Sequence, residues 1–316
     1  MTIVVTIYRR TTYLRGAIRS ALGQTYSNVE VLVTEDGGSD VASAIVQEFS
    51  DPRLRYRRND QNVGESGNRF NAYAEARGEF LVNLDDDDVL VPEMVERLLA
   101  PLLDNPRVVV SFSDHYVARA DGTVHPEQTS EPSRRFRRDR LAPGLHRSIA
   151  RLCLLDATVP FGCSAVFRRT VVADSADAAR AISVDDLYLA YLVSRTGGFA
   201  YYVPARLATY RVHDDRESVV GRMRMSRGAQ FCLDKCLADP RLAPLHGALQ
   251  RQWAEATVSL AAEFLLAGDR TAAGAECRRA FRNGASLKAL AGLALCHLPT
   301  TVARSAVATY RRLRRG

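Results

Sequence analysis

The sequence predicts an α/β protein: a mostly parallel sheet with helices on both faces, followed by a smaller all-helical extension. Three observations carry this. Short apolar runs alternate with segments of helical period through the first hundred residues. Turn-forming or acidic residues stand at the end of each run, where strands of such a sheet present their carboxyl ends. After about residue 222 the strand signals stop and only helical patterns remain.

Each element has its own warrant. Residues 2–7 (TIVVTI) are a continuous apolar run, the mark of a buried strand. Residues 13–22 set Leu14, Ala17, Ile18, Ala21 and Leu22 at helical spacing. Residues 29–34 form a second strand, and 35–40 (EDGGSD) are turn chemistry ending in a helix start. A helix over 41–49, a short strand over 54–57 and a helix over 67–76 closed by Gly78 follow. Residues 80–84 are a third apolar strand, and the acidic run Asp85 to Asp88 comes directly after it. A helix begins at Val91-Pro92 and runs to Leu103. Strands are expected over 108–112 and 165–167, irregular chain over 118–151, a helix over 185–193, and two last strands over 199–203 and 208–212. In the extension, helices are expected over 253–266 before Gly268, 271–281 before Gly284, 286–297 before Pro299, and 301–313. This divides the chain into a domain at 1–222 and an extension at 223–316.

Length and composition bound the function. A chain of 316 residues, 47% hydrophobic and 25% charged, has room for one large domain plus an appendage and for no long disordered tract. The net charge is +7, and Lys235 and Lys288 are the only lysines. Arginine grips phosphate through a planar fork, so the bias suits a phosphate-bearing ligand, although GC-rich coding also produces it. No zinc-finger spacing, RNP-type aromatic motif or helix-turn-helix pattern supports nucleic acid as a partner. The six cysteines are scattered, with no CxxC, and read as reduced thiols of a cytosolic protein. Neither a signal-peptide pattern nor an apolar run of membrane-spanning length is present, so a cytoplasmic location is expected. The segment 301–313 places Val302, Ala306, Val307, Tyr310 and Leu313 on one face among arginines. That is the pattern of a membrane-surface helix, or of a terminal helix with solvated arginines. A homo-oligomer is compatible with either.

Four successive aspartates repel one another unless a cation or solvent relieves them. Carboxylates are hard oxygen ligands suited to Mg²⁺ or Mn²⁺, ions that often bridge to substrate phosphates. A solvated acidic loop is the plainer reading, but placement at a strand's carboxyl end favours a metal site.

Four motifs in order carry a family resemblance. The opening VVTIYRRTTYLRGAIRSALGQTYSNVEVLVTEDGGSD, the approach NVGESGNRFNAYAEARGEFLVNLDDDD, the acidic pair in VDDLYLAYLVSRTGGFAYYV, and the closing YRVH resemble the family 2 glycosyltransferases over about residues 2–220. The resemblance implies the GT-A fold, a nucleotide-sugar donor, a hydroxyl acceptor and a divalent metal. It implies that Asp85 and Asp87 form the DxD pair, with Asp87 the more direct metal ligand, Asp88 assisting and His213 a third ligand or a diphosphate contact. Thr6, Tyr8, Arg10, Asp36, Arg69, Asp85 and Asp86 would line the donor nucleotide. Asp186, preceded by Asp185, would supply the catalytic base. The sequence departs from the family pattern at Thr6, where proline is common, at Glu35, the first acid of the DDGS turn, and at Asp185, where the pair usually reads Glu-Asp. The acceptor expected is a glycan, a lipid-linked sugar or an aglycone. Two rivals remain: a catalytically degenerate nucleotide-sugar-binding protein, and a nucleotidyltransferase. The latter is disfavoured because residues 6–11 contain no glycine for a phosphate loop.

Overall fold

The computed structural model describes the chain except residues 39, 176, 182, 183, 213–220, 285, 286 and 314–316, with backbone alone for 310–313. It falls into two compact units, Met1–Arg216 and Glu217–Gly316. The first carries nine strands in one sheet: β1 (Thr2–Ile7), β2 (Glu30–Glu35), β3 (Leu54–Arg58), β4 (Phe80–Asp85), β5 (Val89–Leu90), β6 (Val108–Ala118), β7 (Gly144–His146), β8 (Ala165–Arg168) and β9 (Phe199–Arg211). Their order is β3-β2-β1-β4-β8-β6-β9-β5, with β7 on β9. β3, β2, β1 and β4 run parallel, as the strand–helix alternation predicts. β8 runs against both β4 and β6, and β9 returns parallel to β6.

The parallel half explains the apolar runs. β1 is buried at every residue, and β2 and β4 at all but one terminal residue each, because helices cover both faces. Helix α1 (Leu14–Leu22) turns Leu14, Ala17, Ile18 and Ala21 inward, an i, i+3, i+4, i+7 stripe. The next helices are α2 (Asp40–Gln47), α3 (Glu65–Glu75) and α4 (Met94–Asp104). α4 buries Met94, Val95, Leu98, Leu99 and Leu102, each large side chain contributing about 1.5–3 kcal/mol. In register, Thr6 lies between Thr34 of β2 and Asp85 of β4, so three carboxyl ends meet at one level.

Three expectations need correction. The span 118–151 is not irregular throughout: it holds helix α5 (Pro126–Arg135), opened by Pro126 and capped by His125 Nδ1, which accepts from Gln128 N at 3.3 Å. Its inward residues are Thr129 and Ser133, so no apolar period betrays it. The two last strands are one, β9, running through Pro204. The ladder to β6 jumps from Phe112↔Tyr202 to Asp114↔Arg206, and the proline sits in that bulge where no N–H is needed. The short β5, paired with β9, was not expected. Helix α6 (Asp185–Ser194) falls where the sequence puts it.

The second unit is helical: α7 (Arg222–Ala238), α8 (His246–Ala267), α9 (Arg270–Asn283), α10 (Leu287–Cys296) and α11 (Thr300–Leu313). The corner between α8 and α9 is tight because Gly268 takes φ 93° and Asp269 Oδ1 then accepts from Ala272 N at 2.9 Å. α10 approaches α9 closely at Gly292, where a Cβ would lie 2.5 Å from Cys277 Sγ. Among the described residues no helix is long and apolar enough to cross a membrane.

Candidate active site

The acidic run begins on the last residue of β4, and its four carboxylates leave in different directions. Asp85 Oδ1 accepts from Thr6 Oγ1 at 2.9 Å, a bond fixed by their register in neighbouring strands. Beyond β1 the chain reverses at Arg9, which adopts a left-handed φ of 61°. Arg10 thereby reaches Asp86 with both arms of its fork, at 3.0 and 2.7 Å, and Asp87 Oδ2 at 3.1 Å. Tyr8 lies under the guanidinium of Arg9, 4.8 Å from its centroid. Asp88 Oδ1 accepts from the backbone N–H of Arg211 at 2.8 Å, and Arg211 Nε donates to the carbonyl of Asp87 at 2.9 Å. The end of β9 is thus fastened to the acidic run.

Arg69 joins two acid groups that lie far apart in sequence. Its buried guanidinium donates through Nη2 to Asp85 Oδ1 at 2.6 Å and to Thr6 Oγ1 at 3.3 Å, and through Nη1 to Asp185 Oδ2. Asp186 Oδ1 stands 3.8 Å from Nη1. Asp185 and Asp186 open the first turn of α6, where the helix dipole favours negative charge. Asp185 turns inward to Arg69, whereas Asp186 keeps 57% of its side chain exposed. Gly162, in the lead-in to β8, faces Asp186: a Cβ there would lie 3.5 Å from Oδ2.

Crowded acid raises carboxyl pKa values. Burial pushes Asp86 up to about 7 against the pull of Arg10. Burial also raises Asp85, with Arg69 opposing and the charge of Asp87 adding to the rise. Asp186 is pushed up to about 7 by desolvation first and by the charge of Asp185 second. Its open face tempers the size of that shift, but both causes act upward. Exposed Glu65, 3.7 Å from Arg69, is raised to about 8, chiefly by the charge of Asp185.

Asp36 accepts from Asn59 Nδ2 at 3.1 Å and from the N–H groups of Val63 and Gly64, both at 2.8 Å. This carboxylate ties the turn after β2 to the entry of α3, and so sets where Arg69 begins its reach. His213, expected at the metal, lies outside the described residues.

Residues 2–175, more than half of the chain, match the family described as Glycosyl transferase family 2. The chain belongs to glycosyl transferase family 2. Among curated family 2 relatives, the UDP-Glc:alpha-D-GlcNAc-diphosphoundecaprenol beta-1,3-glucosyltransferase WfgD of Escherichia coli is 34% identical over 105 residues, 33% of this chain and 42% of that protein. The putative glycosyltransferase EpsH of Bacillus subtilis is 28% identical over 124 residues, 39% of this chain and 35% of that protein. The chain spans about half the length of such relatives or less. Among solved structures, S. aureus TarS 1-349 in complex with UDP-GlcNAc superposes with a TM-score of 0.65 at 14% identity, covering 98% of this chain and 91% of that one. The mannosyltransferase PcManGT from Pyrobaculum calidifontis, in complex with GDP-Man and Mn²⁺, gives 0.54 at 16% identity, covering 97% and 83%. These likenesses establish the GT-A fold expected from the sequence.

Within this family 2 site, the residues present fit a divalent cation. Asp85, Asp87 and Asp88 each offer a carboxylate oxygen, and the three oxygens lie within 4.8 Å of one another. Three hard oxygen donors at that spacing match what Mg²⁺ or Mn²⁺ takes from a protein that leaves its other positions to water and phosphate. The structure also brings Glu65, Gly162 and Arg211 to this site, beside the Asp88 that the sequence singled out as an assistant. For Arg211 a signal existed, since it lies in the quoted YRVH motif. Glu65 and Gly162 had none.

Proposed function

We propose that this chain transfers a sugar from a nucleotide-diphosphate donor, a UDP- or dTDP-sugar, to an acceptor hydroxyl with inversion, assisted by Mn²⁺ or Mg²⁺. The observation that carries this reading is the single buried guanidinium of Arg69, spanned on one side by Asp85 of the acidic run and on the other by Asp185 and Asp186. In this reading the cation-binding group and the base would lie within the breadth of one side chain. Asp85, Asp87 and Asp88 would hold the cation, with His213 as a further ligand. Bound there, the cation would offset the charge that grows on the departing diphosphate. Thr6, Tyr8, Arg10, Asp36 and Asp86 would line the donor.

Asp186 is the base in this reading. An acceptor hydroxyl is a poor nucleophile and needs a proton acceptor in hydrogen-bond reach. Asp186 is exposed enough to be approached, and its raised pKa makes it a better acceptor than an ordinary aspartate. One carboxylate opposite the leaving group suits a single displacement. Asp185, held by Arg69, orients the pair and is not itself approached. Among the relatives, the names of WfgD and of a Campylobacter jejuni glucosyltransferase specify sugars on diphosphoundecaprenol or PP-undecaprenol. A lipid-linked glycan is accordingly the acceptor class proposed.

A donor screen with Mn²⁺ tests the reading, measuring UDP or dTDP release and sugar transfer to lipid-linked acceptors. Wild-type turnover that vanishes in Asp186→Asn while donor binding persists is expected. Donor binding with no transfer to any acceptor by the wild type would favour a degenerate binding protein.

A further inference from the structure

We propose that the C-terminal unit docks on a bilayer containing anionic lipid, through the outer face of α10 and the basic side chains of α9 beside it. The inference does not depend on the sugar-transfer reading. It starts from where the charge lies. Residues 217–316 hold sixteen Arg and Lys against seven Asp and Glu, a net +9, so the first unit is slightly acidic and the whole positive balance of the chain sits in the second. After Glu276 there is no acidic residue at all, while nine Arg and Lys follow.

The apolar half of the argument is α10. A helix of a water-soluble unit turns its apolar stripe inward. α10 (LKALAGLALC) buries only Ala289. At 100° per residue, Leu287, Leu290, Ala291 and Ala294 share one arc, and all are exposed. Leu287 is 85% exposed and Leu290 45%, and Leu298 just past the helix is 39% exposed. The single charge on α10, Lys288, lies off this arc and is 3.6 Å from Glu255. Beside the arc an open cleft of about 430 Å³ runs between α10 and α9, with Leu293 and His297 on one wall and Arg270 and Arg278 on the other. Among the described residues Arg278 makes no ion pair. Exposed leucines next to unopposed arginines are the two halves of an interfacial surface: apolar side chains for the acyl boundary and cations for phosphate headgroups.

Other occupants fit less well. A second copy placed face to face would bring together two surfaces without acidic residues in this stretch, and they would repel. Nucleic acid would meet the arginines but offer no apolar phase to the leucines.

Co-sedimentation of the full chain with sucrose-loaded vesicles tests this. The chain should bind phosphatidylcholine vesicles containing phosphatidylglycerol, not phosphatidylcholine alone, and binding should weaken with added salt. Leu287→Asp with Leu290→Asp, and separately Arg278→Glu with a change to Glu at the exposed Arg282 one helical turn on, should each weaken binding about tenfold or more, with circular dichroism and melting unchanged. Equal binding to both vesicle types, or full binding by the leucine pair, would overturn the proposal. So would a dimer seen by light scattering that the leucine pair dissolves, since a second copy would then cover the face.

Discussion

Replacing Arg69 by methionine removes the cation that Asp85 and the buried Asp185 share, and its cost follows from the contacts. The guanidinium serves Asp85 at 2.6 Å, Asp185 and Thr6 at 3.3 Å, and methionine fills the stem but donates nothing. Removing one partner of a buried ion pair costs about 3–5 kcal/mol. Asp85 keeps 28% of its side chain in solvent, which places the cost in the lower half of that range, about 3–4 kcal/mol. For a unit of this size that is a fall in Tm of roughly 6–16 °C. The penalty belongs to carboxylate charge. It should therefore be larger near about pH 8 than near about pH 5.5, because burial raises the Asp85 carboxyl and Arg69 opposes that rise, and be partly offset by Mn²⁺. Differential scanning calorimetry at both pH values, with and without Mn²⁺, reads all three effects. A loss of Tm that is equal at both pH values and indifferent to Mn²⁺ would mean lost packing, and the account of Arg69 as a charge hub would be wrong.

Three further outcomes follow from the same geometry. Asp186→Asn should lower the transfer rate by about 10²–10⁴ while leaving the donor Kd within about twofold, as measured by nucleotide release and calorimetric titration. In the wild type, log kcat should climb with pH at unit slope and level off near 7, where Asp186 loses its proton; a flat profile across that region would remove it as the base. Asp86 and Asp186 have folded-state pKa values near 7, above the unfolded range near 4, so the stability they contribute is complete below about pH 4 and is lost as pH rises through 7. Mn²⁺ held by Asp85, Asp87 and Asp88 would lie among these charges and should raise Tm more at about pH 8, where Asp86 and Asp186 are ionised, than at about pH 5.5, an increment that Asp87→Ala should remove together with metal-dependent turnover.

The legible parts of the fold were those with a local cause. β1, β2 and β4 are apolar along their length because both faces are covered, and a strand so made announces itself. The acidic run was legible because four like charges in sequence need a reason. Helix α5 was not, because it is anchored by polar groups: Ser133 donates to Asp114 of β6, and Arg138 just beyond donates to the same carboxylate at 2.8 Å. β9 was read as two strands because a proline usually ends one, and the bulge that admits it depends on the partner strand. The role of Arg69 was hidden for a different reason. Its acids lie 16 and 116 residues away, so no spacing rule records the triangle they form.

The direction of β8 has a consequence for access. Because it runs against β4, the chain that skirts the acids on that flank is the approach to a strand, and Asn83 of β4 pins it by donating to the carbonyl of Phe161 at 3.0 Å. The next residue, Gly162, presents bare backbone to Asp186. In the proposed reaction this makes a doorway whose width is set by the missing side chain. An acceptor would then approach the carboxylate along bare peptide, whereas a single methyl group there would take up that space, 3.5 Å from Oδ2. Which hydroxyl of an acceptor is glycosylated would then be decided by clearance at the threshold, before any proton moves.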